Sequence, residues 1–600
     1  MLFTLGLHGA FLSFECCVSV IRNCFEFRIS CLGFGDYRMG NAISIKNLTF
    51  TYQGTERPAL QNIQGQIEDG TFVVVMGHGG AGKSTLCCSL NALVPKFFRG
   101  KYQGRVLVNG KEVAQHRVAE MSRLVGLVLQ DFESQLFCTN VELEMAFGPE
   151  NHCLSRQEIE RRIQHYLGLV GLETLRNREP ASLSGGQKQR LAIGSVLALE
   201  PKVLVMDEPT TELDPLGREE VLSVSESIRE EGRSLLVVDH EPETAVTADQ
   251  VWLLRDGQVV SRGSPSEILV DTTTMESCGV KTLPMVELFH TMNWPGNPLA
   301  VETAIELIQK HHFTERLERK VKTASFSHSK GFPILKAEEL RYVYPTYHVE
   351  ALRGIDLTIY EGDFIAILGQ NGSGKTTLAK HFNGLLKPTF GRMWVENRPT
   401  TECSHRELAR WVGYVFQNPD HQIFARTVAG EVGFGLRMQG ETSKTIEKRL
   451  AEALDTVGLQ GYEQKVPFTL TKGERQRVAV ASVLATQPQV IILDEPTTGL
   501  DYRHQRNMME MLNRLNQDGH TIIVITHSMW VAAEYANRTV VMKDGTILSD
   551  GPTRAVFADE VRLAEASLRP SSLVRLSNWL GTEALTVEQM VKELKGQGHG

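Results

Sequence analysis

The sequence has little cysteine for its size: ten residues in 600, with no pair at the C-x-x-C spacing of a zinc or redox site. That excludes a disulfide scaffold and points to a reducing compartment. It also lacks any stretch near the ~20 apolar residues that a spanning helix needs. The N-terminal apolar run from Leu2 to Phe14 has no Lys or Arg ahead of it and is followed by Glu15 and Arg22, so it reads neither as a signal nor as an anchor. Any membrane role must therefore come through partner chains. Proline is sparse, at 22 residues, and 42% of the chain is hydrophobic against 22% charged, which excludes a disordered or collagen-like protein. Basic excess is missing too: a net charge of -8 gives no global basic field and counts against bare nucleic acid as the main partner. At roughly 100 to 200 residues per domain, this length allows three to six domains, so internal duplication is the first thing to look for.

Residues 1–40 are set apart as an N-terminal extension, disordered or upstream of a true start at Met39. They carry Cys16, Cys17, Cys24 and Cys31 without periodicity, whereas Asn41-Ala42-Ile43-Ser44-Ile45-Lys46 opens a strand-like segment. Beyond them the chain repeats itself. The pattern G-x-x-x-x-G-K-[ST] occurs as Gly77-His78-Gly79-Gly80-Ala81-Gly82-Lys83-Ser84 and again as Gly369-Gln370-Asn371-Gly372-Ser373-Gly374-Lys375-Thr376, 292 residues later. Each copy follows an apolar run (Thr71 to Met76; Asp363 to Leu368) and precedes a helix-compatible one, the strand, loop, helix context that a phosphate-binding loop requires. The glycines let successive backbone N–H groups curl around phosphate oxygens at a helix N-terminus. Lys83 and Lys375 would then reach the β- and γ-phosphates, with Ser84 and Thr376 on Mg²⁺ and Thr85 and Thr377 beside them.

Further on, Val203-Leu204-Val205-Met206-Asp207-Glu208 and Val490-Ile491-Ile492-Leu493-Asp494-Glu495 read as buried parallel strands ending in acids, now 287 residues apart. Asp207 and Asp494 sit where an open α/β sheet places its ligand, suited to hold Mg²⁺, and Glu208 and Glu495 are candidate bases for orienting an attacking water. The change of spacing locates five extra residues of the first half within Val94 to Gln103. An aromatic and basic loop with Phe97, Phe98, Arg99 and Lys101 falls there, to dock a partner or to cover its own domain.

With Leu183-Ser184-Gly185-Gly186-Gln187 before the first Asp-Glu pair and Leu470-Thr471-Lys472-Gly473-Glu474 before the second, the sequence resembles the ATP-binding cassette (ABC) family from about residue 41 onward. The resemblance implies an α/β fold of two P-loop nucleotide-binding domains in tandem, each with an antiparallel β subdomain, a helical signature subdomain and a short helical tail. It implies a Mg²⁺-dependent ATPase, with ATP and Mg²⁺ as cofactors. It also assigns roles: Tyr52 and Tyr344 as adenine-stacking aromatics, Gln130 and Gln417 as glutamines that join Ser84, Thr376, Asp207 and Asp494 at the metal, Asp214 and Asp501 in the loops after the strand acids, and His240 and His527 as switch histidines. The expected boundaries are 41–275 for the first cassette, 276–332 for a helical tail and linker, 333–560 for the second cassette and 561–600 for its tail.

In proteins of this kind one cassette's signature covers the γ-phosphate bound by the other, and closure excludes water. The site of Lys375, Thr376, Gln417, Glu495 and His527 would receive the intact Ser184 to Gln187. The site of Lys83, Ser84, Gln130, Glu208 and His240 would receive Thr471, Lys472, Gly473 and Glu474. There Lys472 replaces a glycine that lets the backbone approach, while its ammonium can also attract the γ-phosphate, and Glu474 is expected to bring negative charge near phosphate; since Glu208 and His240 are kept, the expectation is a weakened site rather than a dead one.

The segment Gly413-Tyr414-Val415-Phe416-Gln417-Asn418-Pro419-Asp420-His421-Gln422-Ile423-Phe424, and its looser copy from Val128 to Phe137, resembles the energy-coupling factor (ECF) importer ATPases. That implies a transmembrane coupling subunit and a small membrane substrate-binding subunit as partners, no nucleic acid, a peripheral place on the cytoplasmic face of the cell membrane, and a vitamin, vitamin precursor or transition-metal ion as cargo. The alternatives are a soluble tandem translation factor at the ribosome and a sugar-importer ATPase. Duplicated tails (Asn293-Trp294 and Asn578-Trp579, with amphipathic spacing at Val301, Ala304, Ile305, Ile308 and Val587, Met590, Val591, Leu594) read on their own as helices packed on their cassettes, and they fit the ECF resemblance, which implies that they help hold the two cassettes together. The linker with His311, His312, Arg316, Arg319, Lys320, Lys322 and Lys330 is short and modestly basic, as a solvated linker is.

Overall fold

The structure, a computed structural model of the chain, describes residues 41–210, 213, 215–311, 331–345 and 348–596. The run Leu2 to Phe14, its neighbouring cysteines, Met39, Asp214, His312 and the linker cations from Arg316 to Lys330 lie outside the described residues. Two compact units result, with the boundary between Leu283 and Pro284.

In the first unit, β1 (Asn41–Tyr52), β2 (Leu60–Glu68), β4 (Gly100–Val108) and β5 (Lys111–Glu112) form an antiparallel sheet in the order β2-β1-β4-β5. A second sheet has the order β10-β9-β3-β8-β7-β6, from β3 (Phe72–Met76), β6 (Val125–Val128), β7 (Val203–Asp207), β8 (Ser234–Val238), β9 (Gln250–Arg255) and β10 (Gln258–Gly263). Its inner strands run parallel, and β3, β7 and β8 are buried at every position. Both faces of this sheet are covered, which is why these strands read as unbroken apolar runs rather than alternations. Helix α1 (Lys83–Leu90) leaves the β3 loop, and α2 (Gly185–Leu197) starts at the signature. The five extra residues lengthen β4: Thr49 through Tyr52 of β1 pair with Gln103 back to Gly100. Phe98 then lies edge-on to Tyr52, ring centroids 6.2 Å apart, so this loop covers its own domain.

The second unit contains α3 (Pro284–Met292) and α4 (Val301–Lys310), then the same two sheets. One is β12-β11-β14-β15, from β11 (Pro333–Tyr344), β12 (Val349–Tyr360), β14 (Phe390–Val395) and β15 (Arg398–Pro399). The other is β16-β17-β18-β13-β19-β20, from β13 (Phe364–Gly369), β16 (Val412–Val415), β17 (Val490–Asp494), β18 (Thr521–Ile525), β19 (Arg538–Lys543) and β20 (Thr546–Pro552). Helix α5 (Lys375–Phe382) follows the β13 loop, α6 (Lys472–Leu484) the second signature, and α7 (Ser572–Leu580) and α8 (Val587–Gly596) close the chain.

The two tails meet. Met285, Leu288 and Phe289 of α3 and Val301, Ala304 and Ile308 of α4 share one core with Leu573, Leu576 and Leu580 of α7 and Met590 of α8. The tail of the first half thus packs on the tail of the second. An amphipathic face specifies that a helix is buried, not against what.

Candidate functional site

In the second unit a cleft of about 370 Å³ opens above the carboxyl ends of β13 and β17, lined by Tyr344, Asn371, Lys375, Gln417, Asp494 and Glu495 among others. The loop before α5 curls because Gly369, Gly372 and Gly374 hold φ of 153°, 82° and 99°. A side chain on Gly369 would strike the Met542 carbonyl at 2.4 Å, whereas one on Gly372 would meet only open space. That open concavity of backbone N–H groups is what a phosphate fills. Lys375 Nζ donates to the carbonyls of Gly369 (2.7 Å) and Gln370 (2.8 Å), which holds the ammonium over the loop. In the first unit Gly77, Gly80 and Gly82 repeat the curl, and Lys83 Nζ donates to the Gly77 and His78 carbonyls at 2.8 and 2.9 Å.

Beside each lysine lies a buried carboxylate with one oxygen in use and one without a partner. Thr376 Oγ1 donates to Asp494 Oδ2 at 2.8 Å, while Asp494 Oδ1 is buried and unpaired. The Ser84 hydroxyl is hydrogen-bonded to Asp207, whose Oδ1 is likewise unpaired. Burial raises both carboxyls, Asp207 to about 6, because a charge there has lost its water. A hydroxyl and an orphaned carboxylate oxygen at a phosphate loop fit Mg²⁺, which is bound through one or two carboxylates and the substrate's phosphates rather than an all-protein cage. Among the described residues no cluster of three His, Cys, Asp or Glu side chains could cage a metal alone.

The adjacent glutamates sit on strained backbone, φ 51° at Glu208 and 49° at Glu495, costing about 1–3 kcal/mol each. The strain turns each side chain toward a histidine. His240 Nε2 lies 2.6 Å from Glu208 Oε1, and His527 Nδ1 lies 3.0 Å from Glu495 Oε1. Burial pushes the Glu495 carboxyl up, but the pull of His527 and Lys375 outweighs it and leaves it below the usual range, ionised and able to accept a proton. Gln130 Nε2 donates to Glu208 Oε2 at 2.8 Å, which brings the first unit's glutamine to its glutamate. The Tyr52 and Tyr344 hydroxyls bond Thr85 Oγ1 (3.0 Å) and Thr377 Oγ1 (3.1 Å), fixing each ring against its loop helix.

The signature residues stand apart from the cleft of their own unit. Ser184 caps α2: its Oγ accepts from the Gln187 amide and its own amide donates to Gln187 Oε1, with Gly185 and Gly186 in the first turn. Thr471 caps α6 in the same way, ahead of Gly473, but here the Glu474 carboxylate accepts both the Thr471 amide (2.8 Å) and its hydroxyl (2.9 Å), and Tyr462 donates to it as well (2.9 Å). Glu474 therefore turns back on its own helix cap, as Gln187 does, and brings its negative charge to the start of α6. Lys472 also folds back, so near Gly499 that a Cβ there would come within 2.5 Å of its Nζ. Asp501 caps the helix Tyr502–Gln517 and accepts from the His504 amide at 2.9 Å.

Sequence reasoning missed Tyr414, whose hydroxyl donates to Asp494 Oδ2 at 2.8 Å. A tyrosine in an apolar strand gives no signal of that contact, and the first unit has Leu127 at the matching position. It missed Asp239 as well, which accepts from the His240 amide at 2.6 Å and so positions that histidine.

Residues 60–211 and 352–498 match the family described as ABC transporter. The chain is 49% identical over 561 residues to an ABC transporter ATP-binding protein of Caldanaerobacter subterraneus subsp. tengcongensis, covering 92% of this chain and 98% of that one. A second relative so named, from Methanosarcina acetivorans, is 37% identical over 551 residues, covering 89% of this chain and 90% of that one. Among solved structures, cbiO1 from Clostridium perfringens, described as part of the ABC transporter complex cbiONQ, matches at 38% identity with a TM-score of 0.36, covering 41% of this chain and 98% of that one.

Proposed function

Because this chain belongs to the ABC transporter family, whose cassettes bind ATP with Mg²⁺ and hydrolyse it, we propose that it is the energy-coupling ATPase of an ECF-type importer. Its partners are then a transmembrane coupling subunit and a small membrane substrate-binding subunit, and it works peripherally on the cytoplasmic face of the membrane. The cargo class is a vitamin, a vitamin precursor or a transition-metal ion. Among the described residues no helix is long and apolar enough to cross a membrane, so in this reading the partners supply the passage.

The observation that carries the proposal is an aromatic pair repeated in both units just after the Q-loop glutamine. Phe137 and Phe147 meet edge to face at 4.6 Å, and Phe424 and Phe434 do so at 4.8 Å. Phe137 and Phe424 are 47% and 62% exposed, costly for phenylalanine unless something covers it. The exposure is built in. Buried Glu144 accepts from the amides of Phe137 (3.0 Å) and Cys138 (2.8 Å), and buried Glu431 accepts from those of Phe424 (3.0 Å) and Ala425 (2.8 Å). Each carboxylate pins the backbone so that the ring faces outward. Two equal apolar platforms suit a partner with two matching contacts, as a membrane coupling subunit has.

In this reading Lys83, Ser84, Lys375 and Thr376 hold the phosphates and the metal, Glu495 and Glu208 orient the attacking water, and His527 and His240 position those glutamates. The nucleotide on Lys375 is completed by Ser184 to Gln187 and that on Lys83 by Thr471 to Glu474, so the first is the faster site. The test is affinity purification of the tagged chain from gently solubilised cells. Recovery of a polytopic coupling subunit with a small membrane binding protein supports the proposal, and recovery of ribosomal proteins without membrane partners overturns it.

A further inference from the structure

The second unit has a cleft of about 290 Å³ that belongs to neither the nucleotide cleft nor the aromatic platform. It lies between the helix Ser443–Thr456, α6 and the helix Tyr502–Gln517, and it is lined by Gly473 of the signature together with Asp455, Arg477, His504, Asn507 and Arg514.

In the first unit the matching arginine is held by a carboxylate. Arg190, in the position of Arg477, donates to the Val170 carbonyl at 2.8 Å and pairs with Glu220 at 3.3 Å. Arg477 keeps the first contact, to the Val457 carbonyl at 3.2 Å, but Asn507 stands where Glu220 stands, so among the described residues the guanidinium has no carboxylate within ion-pair distance. At the matching positions, Arg514 replaces Ser227 and His504 replaces Gly217; only Asp455, in place of Gly168, adds a negative charge. Among the described residues Arg514 has no ion pair either, and the His504 ring is held by Asp501 at 2.7 Å. One neutral pair has thus become a cleft lined by two guanidiniums, an imidazole and a single carboxylate, Asp455. Of the two arginines Arg477 is partly buried and Arg514 exposed, so an unpaired charge is costly at Arg477, while Arg514 adds a second fork at the rim; guanidinium forks match the oxygens of tetrahedral oxyanions.

We propose that this cleft is a binding site for a phosphate-class oxyanion, specific to the second cassette and adjoining its signature glycine, Gly473. Binding there would stiffen the start of α6, and with it the signature that the slower nucleotide site depends on. The assignment stands whether or not the protein serves an importer.

The test uses the full chain with Mg²⁺ and a non-hydrolysable ATP analogue saturating both P-loops, and measures labelled inorganic phosphate by equilibrium dialysis. The native protein should bind one phosphate per chain saturably. The variant Asn507→Glu with Arg514→Ser, which restores the first unit's pattern, should lose affinity at least tenfold while retaining its melting temperature. The reverse graft, Glu220→Asn with Ser227→Arg in the first unit, should raise the stoichiometry toward two. Absence of saturable binding in the native chain, or equal binding by the Asn507→Glu/Arg514→Ser variant, overturns the proposal.

Discussion

The Glu474 carboxylate takes both hydrogens that Thr471 can offer, the amide at 2.8 Å and the hydroxyl at 2.9 Å. In the first signature Gln187 takes only the Ser184 amide, at 3.0 Å, while the Ser184 hydroxyl accepts from the Gln187 amide and keeps its own hydrogen for another acceptor. The second signature is satisfied internally and has less to give a γ-phosphate. Glu474→Gln should therefore release the Thr471 hydroxyl and remove a charge. One hydrogen bond is worth about 0.5–1.5 kcal/mol net, which predicts a roughly 2- to 10-fold rise in steady-state ATPase. The rise should be measured in a Glu495→Gln background, where turnover reports the site on Lys83. An unchanged or lower rate would show that the cap does not set that site's speed.

The two glutamates give the complementary test. If the site with the intact signature dominates turnover, Glu495→Gln should lower steady-state ATPase by ~10²- to 10⁴-fold, the usual worth of a general base. Glu208→Gln should cost far less. Equal losses would mean that the sites fire in strict alternation and that the difference at Thr471 is structural only.

Asp207 predicts a pH-dependent exchange of stability for metal binding. Burial raises its carboxyl to about 6, from 3.8 for an ordinary aspartate. A carboxyl whose folded value lies above its unfolded one destabilises the fold as pH rises between the two. The penalty is absent below about pH 4 and complete above about pH 6, where it amounts to roughly 1–3 kcal/mol. Asp207→Asn should therefore raise the melting temperature of nucleotide-free protein at pH 7 and leave it unchanged near pH 4. The same substitution should abolish the extra stabilisation by Mg²⁺ with ATP. A variant that melts no later than the native chain at pH 7 would contradict the assignment of strain to this carboxylate.

Much of this was legible in the sequence, for reasons that differ residue by residue. The phosphate loops and the strand-end acids show because backbone curvature demands glycine and a strand buried on both faces demands an unbroken apolar run, and both demands leave a local record. The direction of Glu474 was legible as well, since Thr471-x-x-Glu474 is a capping box; attention to charge hid it. Tyr414 on Asp494 was not legible, because it joins β16 to β17 through a side chain that any apolar strand could carry. The pairing of the tails was implied by the family resemblance but not by their residues alone. The spacing of Val301, Ala304 and Ile308 defines a face, and only the fold brings Leu573 and Leu576 to meet it.

That shared tail core makes a stability prediction. Phe289 is fully buried and edge-on to Trp294 at 5.3 Å, so Phe289→Ala should cost about 3–5 kcal/mol in this module. The exposed Arg575–Glu302 pair, at 2.8 Å, should contribute at most about 1 kcal/mol. Hydrogen exchange should show α3, α4, α7 and α8 losing protection together in Phe289→Ala and hardly at all in Glu302→Gln. Loss confined to α3 and α4 would show that the two tails do not form one cooperative core.

The aromatic platforms allow coupling to be separated from catalysis. Phe424 is not among the residues lining the nucleotide cleft, and the backbones of Phe137 and Phe424 are held by Glu144 and Glu431, so replacing the rings should leave the nucleotide chemistry in place. Phe137→Ser with Phe424→Ser should preserve ATPase of the purified chain within about twofold. Buried aromatic anchors at interfaces are worth about 2 kcal/mol or more each, so losing one should weaken partner binding about 30-fold and losing both more severely. The single variants decide whether the platforms act alike. If Phe424→Ser alone releases the membrane partners and Phe137→Ser does not, the partner reads mainly the second cassette, and the looser first copy from Val128 to Phe137 has lost part of its grip. If neither the singles nor the double variant changes recovery of those partners, the exposed rings serve another contact and the importer proposal loses its main support.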